Sequence, residues 1–507
     1  MISTNGLTKT PTGIPGFDTI SAGGLPDGRV TLVTGTAGSA KTVFCAQFLA
    51  AGILRYGEPG VFVTFEETPE DIRRNLFGLG WPVEQWERDG TWAFVDATPD
   101  PHVDVAEIGD FDFKALIARI RRAVEKTGAK RLAVDSVSAV FALYERTASV
   151  RRELLRLTTA IRDMGVTAIV SGERSAEEGQ VARYGLEEFV CDNVVILRNN
   201  TEGEKRRRTV EILKLRGAYH QKGQWPFTVV PNEGLTVLPL SALDLQQRSS
   251  EERVTTGVSG LDDMVGGGFY RGSVTLVSGA TGTGKTLLST QFLAGGAREG
   301  ERCLLLAFEE SRDQLTRNAM GWGVDFAEMQ ASGHLHIECS IPESHSVEDQ
   351  LIRIRELIDA VRPTRVALDG VSALSRVSST ASYREFVISL ASLLKKLEIT
   401  ALLTSTSEDL LGGSSITEAH ISTITDTILL LRYVEFFGEI RRGINVLKMR
   451  GSAHDKHIRE YEIGEWGLRV GAPFHNVLGI LSGDFRHVMP AEIERLGSLF
   501  DQPTNRD

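Results

Sequence analysis

The sequence predicts an α/β protein made of two tandem copies of one domain. Each copy is a mostly parallel sheet flanked by helices, with an antiparallel hairpin at its C-terminal end. Three observations predict this. The chain repeats itself, short β-branched runs alternate with longer helical patterns inside each copy, and each copy places a glycine-rich phosphate loop between a strand and a helix.

The repeat is visible by laying the chain on itself. "TGIPGFD" at Thr12 to Asp18 returns as "TGVSGLD" at Thr256 to Asp262, and "TLVTGTAGSAKT" at Thr31 to Thr42 returns as "TLVSGATGTGKT" at Thr275 to Thr286, both displaced by 244 residues. "VTFEETPEDIRRN" from Val63 matches "LAFEESRDQLTRN" from Leu306; "LAVDSVSAV" around Asp135 matches "VALDGVSAL" around Asp369, and "EILKLRG" matches "NVLKMRG". Such a period is far too long for a solenoid, so each copy is a complete domain. The expected division is a first domain at 1–243, a polar linker at 244–253, a second domain at 254–480 and a tail at 481–507.

Composition agrees. A chain of 507 residues exceeds what one core organises. Apolar residues at 41% and charged residues at 24% exclude wholesale disorder and fibrous repeats. A net charge of −11 argues against a generally basic nucleic-acid coat. Cys45, Cys191, Cys303 and Cys339 lie far apart and read as reduced thiols. The amino terminus has no leader pattern, and no stretch approaches the roughly 20 apolar residues of a membrane span, so a cytoplasmic protein is expected.

Within each copy, "RVTLVTG", "VFVTF", "RLAVDS" and "VTAIVSGE" read as buried strands, and "FDFKALIARIRRAVEKTG" and "SVRRELLRLTTAIRDMG" as helices between them. Towards the end of each copy, "NVVILRN" with "RTVEILKLRG", and "TILLLRY" with "RRGINVLKMRG", read as hairpins extending the sheet. The run Lys205-Arg206-Arg207-Arg208 falls at the first hairpin's turn, where a solvated tip is the plain reading.

The second loop, Gly279-Ala280-Thr281-Gly282-Thr283-Gly284-Lys285-Thr286, followed by Leu287, fits GxxxxGK[ST] completely. Its backbone N–H groups can wrap phosphates, Lys285 can reach the β- and γ-phosphates, and Thr286 offers a hydroxyl to Mg²⁺. The first loop, Gly35-Thr36-Ala37-Gly38-Ser39-Ala40-Lys41-Thr42, has Ala40 where the motif wants its last glycine. A negative φ there would tolerate the methyl; a positive φ would strain it.

Asp135 and Asp369 end apolar strands, as the Mg²⁺ side of such a site requires, with Thr42 and Thr286 beside them. Glu66-Glu67 and Glu309-Glu310 follow the second strand of each copy. Strand alternation would send the members of each pair to opposite sides, leaving one to orient water or accept a proton. Lys214, Arg216, His220 and Lys222 recur as Lys448, Arg450, His454 and Lys456, cations that can act as fingers across a subunit boundary.

Taken with "VRRELLRL", "ARYGLEEFV" and "HISTITDTILLL", these segments resemble the KaiC circadian-clock ATPases of the RecA/DnaB superfamily over nearly the whole chain. The resemblance implies two stacked RecA-like rings forming a homohexamer, with ATP and Mg²⁺ at subunit interfaces, slow hydrolysis in the first ring, and Ser/Thr autokinase and autophosphatase activity in the second. It implies phosphoacceptors at Ser422 and Thr423 with Thr417 auxiliary, a metal-side role for Glu309, and nucleotide contacts from Leu215, Trp322, Met449 and Ser452. The first copy has Glu188 and Phe189 in place of Ser422 and Thr423, so only the second can be phosphorylated there. Two substitutions depart from the family pattern: Ala218 for a small hydroxyl residue, and Glu418-Ala419 for an Asp-Ser pair. A KaiB-like partner on the first ring follows from the resemblance. The divergent ending after Ile480, in which "PAEIERLGSLF" reads as a short amphipathic helix, leaves recognition by KaiA open.

Two other functions compete with a timing or signalling autokinase: a RecA/DnaB-type DNA-dependent ATPase, and a nucleotide-gated assembly scaffold. Adjacent Ser422-Thr423, and the lack of a basic loop interleaved with aromatics for stacking bases, favour the autokinase.

Overall fold

The computed structural model describes residues 7–98, 113–141, 147–183, 187–202, 205–238, 250–407, 424–436, 438–474, 477–478 and 486–487. The chain divides into two compact units, Met1–Leu243 and Asp244–Asp507.

In the first unit, nine strands form one sheet. They are β1 (Val30–Gly35), β2 (Gly60–Thr64), β3 (Trp92–Asp96), β4 (Arg131–Asp135), β5 (Thr167–Glu173), β6 (Asn193–Glu202), β7 (Lys205–Leu215), β8 (Gln224–Val230) and β9 (Gly234–Val237). The spatial order is β3-β2-β4-β5-β1-β6-β7-β8-β9. Neighbours from β3 to β6 run parallel, and β6 to β9 form an antiparallel meander. β1 is buried at every residue, as a central strand with helices on both faces must be.

The second unit repeats this arrangement with β10 (Val274–Gly279), β11 (Cys303–Ala307), β12 (Leu335–Cys339), β13 (Arg365–Asp369), β14 (Thr400–Thr406), β15 (Thr427–Phe436), β16 (Glu439–Met449), β17 (Arg459–Gly464) and β18 (Gly467–Pro473). Its order, β12-β11-β13-β14-β10-β15-β16-β17-β18, matches the first strand for strand.

Helix character follows position. Lys41–Ala51, after the first phosphate loop, is apolar nearly all round and sits in the core. Phe113–Thr127 buries Phe113, Leu116, Ile120 and Val124 at three- and four-residue spacing and turns its charged face outward. A glutamine in each loop helix ties it to the last strands. Gln47 accepts from the Leu235 backbone N–H at 2.6 Å, and Gln291 from that of Leu468 at 2.8 Å. No helix among the described residues is long and apolar enough to cross a membrane.

Candidate nucleotide sites

In both units the phosphate loop follows the central strand at the carboxyl edge of the parallel strands, where open α/β sheets place ligands. Each loop closes on itself through matched hydroxyls: Ser39 donates to the Thr36 carbonyl and Thr283 to the Ala280 carbonyl, both at 2.8 Å. Lys41 Nζ donates to the carbonyls of Gly35 and Thr36 at 3.0 Å. Lys285 Nζ does the same to Gly279 and Ala280 at 2.9 and 3.0 Å, and burial lowers its pKa. A phosphate would replace these carbonyls as the lysines' partners.

Ala40 has φ 69°, so the strained alternative is the one realised; its counterpart Gly284 has φ 93°. Gly38 and Gly282 are also left-handed, at 74° and 81°.

Thr42 Oγ1 donates to Asp135 Oδ2 at 2.7 Å, which sets a hydroxyl and a carboxylate side by side. In the second unit Asp369 is buried and accepts from Thr404 Oγ1 at 2.6 Å, while Thr286 Oγ1 lies 3.5 Å from Glu310 Oε1, to which it donates. Burial pushes the Asp369 carboxyl above the usual range. These all-oxygen pairs fit Mg²⁺, which takes one or two protein oxygens and completes its shell with phosphate and water. Among the described residues no three His, Cys, Asp or Glu side chains converge as a self-sufficient metal cage.

The paired glutamates depart from the alternation expected of them. β11 ends at Ala307 and β2 at Thr64, so each pair lies in the bend beyond its strand, and both Glu309 and Glu310 line one cavity of about 430 Å³. The same cavity is bounded by the loop from Thr281 to Leu287, Asp369, Trp322 and Arg442. Burial raises the pKa of Glu66, assisted by Glu173 and Asp135. It likewise raises Glu67, assisted by Asp135, and Glu310, assisted by Asp369. Glu309 is instead paired with Arg376 at 2.9 Å.

Several residues in these sites were missed by the sequence reading. Asn75 donates to Glu67 Oε2 and Asn318 to Glu310 Oε2, both at 3.0 Å. Each asparagine sits on the helix directly after its glutamate pair, and Thr68 or Ser311 caps that helix. The signal was present, because "RRN" and "TRN" are in register in the repeat. Arg442 was also missed; its counterpart Arg208, in the basic run, donates to the Gly38 carbonyl at 3.2 Å. The run is therefore tied back to its own unit, with Arg206 donating to the Asn199 carbonyl at 3.2 Å.

The structure separates the remaining predicted residues from the loops. Register pairs Leu32 with Val194 and Val194 with Lys214, so Lys214 stands level with the third residue of β1, whereas the loop follows β1's last residue, Gly35. Three residue steps of strand, about 10 Å, separate the two. Lys448 stands opposite Ile428, beside Leu276, in the same relation to the second loop. Arg216, His220 and Lys222, and Arg450, Ser452, His454 and Lys456, follow these strands. Leu215 and Met449 are buried. Lys214 Nζ donates to the carbonyls of Glu188 and Cys191, and Lys448 Nζ to that of Thr425. Burial lowers both lysine pKa values, and Arg216 and Arg450 lower them further. Ser452 accepts from Arg253 at 2.6 Å, a bond that Ala218 cannot make. Ser422, Thr423 and Thr417 lie outside the described residues, as do Glu418, Ala419 and "PAEIERLGSLF".

Two sheets of RecA-like order, each with a phosphate loop, an aspartate ending a neighbouring strand and an acidic pair, define a tandem P-loop protein of the nucleotide-binding class. The family described as "ATPase: KaiC" matches twice, at residues 10–242 and 254–474. The circadian clock protein KaiC3 of Synechocystis sp. is 56% identical over 98% of this chain and 99% of its own. The circadian clock oscillator protein KaiC of Thermosynechococcus vestitus is 54% identical over 94% of this chain and 92% of its own, and that of Nostoc sp. 50% over 100% and 98%. The chain belongs to the KaiC ATPase family.

Proposed function

We propose that this chain is an ATP-driven timing protein that works as a homohexamer of two stacked tiers, hydrolysing ATP in the first and phosphorylating and dephosphorylating itself in the second. One observation carries the reading. Each unit holds its loop at the end of its central strand and its repeated cations, Lys214 and Arg216 or Lys448 and Arg450, three or more residue steps back from that end. Lys214 and Lys448 are turned to backbone carbonyls away from their own loops, which supports a role for these cations at a neighbour's nucleotide in a ring.

In the first tier, Lys41 moves from the loop carbonyls to the β- and γ-phosphates, and the pair Glu66 and Glu67 orients the attacking water. In the second, the pair Glu309 and Glu310 serves the transfer, with Glu310 receiving the proton as the Ser422 or Thr423 oxygen bonds to the γ-phosphorus and the bond to ADP breaks. A glutamate with a raised pKa is a stronger base than a solvated one, which suits it to a hydroxyl proton. Thr42 and Asp135, and Thr286 and Asp369 with Glu309, would hold Mg²⁺, which offsets phosphate charge when bound.

Circadian timing is what the relatives' names assign to them, and we extend it to this chain with a KaiB-like partner on the first tier. Intact mass before and after incubation with Mg-ATP tests the reading. Addition of phosphate together with release of free phosphate supports it. Turnover without any mass gain leaves an ATPase alone, and neither signal leaves a nucleotide-gated scaffold.

A further inference from the structure

Next to each metal-side aspartate stands a buried hydroxyl from the adjacent strand. Val134 pairs with Val170 and Leu368 with Leu403, so the next residue on each strand, Ser171 or Thr404, lies beside Asp135 or Asp369. Both hydroxyl residues are fully buried. Ser171 Oγ donates to Asp135 Oδ1, while Thr42 holds the other oxygen. Thr404 Oγ1 donates to Asp369 Oδ1 at 2.6 Å and accepts from the Gly370 N–H at 2.7 Å. A hydroxyl has one proton. With a backbone N–H already on its lone pair, the Thr404 proton is directed onto the carboxylate.

We propose that Ser171 and Thr404 are positioning residues that hold Asp135 and Asp369 in the orientation presenting an oxygen to nucleotide-bound Mg²⁺. The proposal rests on the reading of these aspartates as the Mg²⁺ side of each site. A carboxylate turns about its χ angles at little cost unless its oxygens are claimed by fixed donors, and groups that orient ligands contribute heavily to metal affinity. In both units the donor comes from a strand rather than a loop, so its place is set by the ladder. Thr42 makes the corresponding contact in the first unit, but its hydroxyl is itself a candidate ligand. It must turn towards the metal, which leaves Ser171 as the constraint that persists.

The test is equilibrium binding of a fluorescent non-hydrolysable ATP analogue to the full-length protein, titrated with Mg²⁺. Thr404→Val should raise the Mg²⁺ concentration needed for tight binding at its unit's sites by about 10- to 100-fold. The other unit's sites stay as an internal reference, and affinity without Mg²⁺ is unchanged. Thr404→Ser should restore the wild-type curve. Ser171→Ala, which deletes a single oxygen, should shift the first unit's sites in the same way and carries the test should the valine variant not fold. Asp369→Asn supplies the control. If it shifts the curve while Thr404→Val and Ser171→Ala follow wild type, the positioning role is wrong. If Asp369→Asn itself leaves the curve unmoved, the metal-side reading fails first. Lower unfolding midpoints for the hydroxyl variants with unchanged Mg²⁺ curves would make their role purely structural and overturn the proposal.

Discussion

Ala40 adopts φ 69° at the loop position where Gly284 adopts φ 93°, so the two phosphate loops share a left-handed backbone that only the second meets with glycine. An L-residue pays roughly 1–2 kcal/mol for that conformation. Ala40→Gly should therefore stabilise the nucleotide-free first unit by about 1 kcal/mol. The reverse change is worse than neutral, because a Cβ on Gly284 would lie 2.8 Å from Ile463 Cδ1. Thermal unfolding of Ala40→Gly and Gly284→Ala checks both signs. An unfolding midpoint unmoved by Ala40→Gly would show that the loop relaxes around the methyl.

The acidic pairs should divide the chemistry. Glu66 and Glu67 replaced by glutamine should cut steady-state ATP hydrolysis by about 10² to 10⁴ while phosphate incorporation persists. Glu309 and Glu310 replaced likewise should suppress incorporation and spare most hydrolysis. Asn318→Ala should weaken incorporation less than the glutamine changes, since it frees Glu310 without removing it. Equal loss of both activities in both double variants would contradict the division.

Much of this architecture is legible in the sequence because both copies carry the same signals in the same order. The phosphate loops, Asp135, Asp369 and the acidic pairs are short motifs on contiguous segments. The residues that serve them are not. Ser171 reaches Asp135 across 36 residues of sequence and Thr404 reaches Asp369 across 35, contacts that only the strand order β4-β5 or β13-β14 creates. Strand alternation failed for Glu309 and Glu310 because the strand stops at Ala307, and periodicity cannot say where a strand ends in a bend. The sign of φ at Ala40 was likewise beyond pattern, because it depends on how the loop closes through Ser39 onto Thr36.

Glu310 has a consequence for pH. Burial, then the facing Asp369, raises its carboxyl above the ordinary value of 4.5. The charged form is thus disfavoured in the fold relative to the unfolded chain. The stability it contributes is fully present below 4.5 and is lost as pH rises through the raised value. In nucleotide-free, Mg²⁺-free protein, Glu310→Gln should flatten the decline in unfolding midpoint as pH rises above 4.5. Glu67→Gln should do the same in the first unit, where burial and Asp135 act alike. Identical slopes in wild type and variants would remove the shift from consideration.

Assembly should depend on nucleotide. Lys214 stands about 10 Å along the sheet from the end of β1 that carries its own loop, and Arg216 stands farther, so on the proposed reading these cations serve a neighbour's nucleotide. Native mass spectrometry should show a hexamer with Mg-ATP and smaller species without it. Lys448→Ala with Arg450→Ala should weaken assembly while leaving the fold intact. A strictly monomeric protein in saturating Mg-ATP would sink the ring reading.

The proposed phosphoacceptors provide the sharpest test, because the second copy alone has adjacent hydroxyls, Ser422 and Thr423, where the first has Glu188 and Phe189. Each phosphate brings roughly −1.5 to −2 charges and three strong acceptor oxygens, enough to recruit arginines and alter a neighbouring contact. Ser422→Ala with Thr423→Ala should abolish labelling by γ-labelled ATP while first-unit hydrolysis continues, and Thr417→Ala should reduce labelling only in part. Peptide mapping of the labelled wild type decides the position. Phosphate confined to residues outside 417–423 would overturn Ser422 and Thr423 as acceptors, and none after long incubation would leave an ATPase without an autokinase, with the hydrolysis that depends on Glu66 and Glu67 the whole of its chemistry.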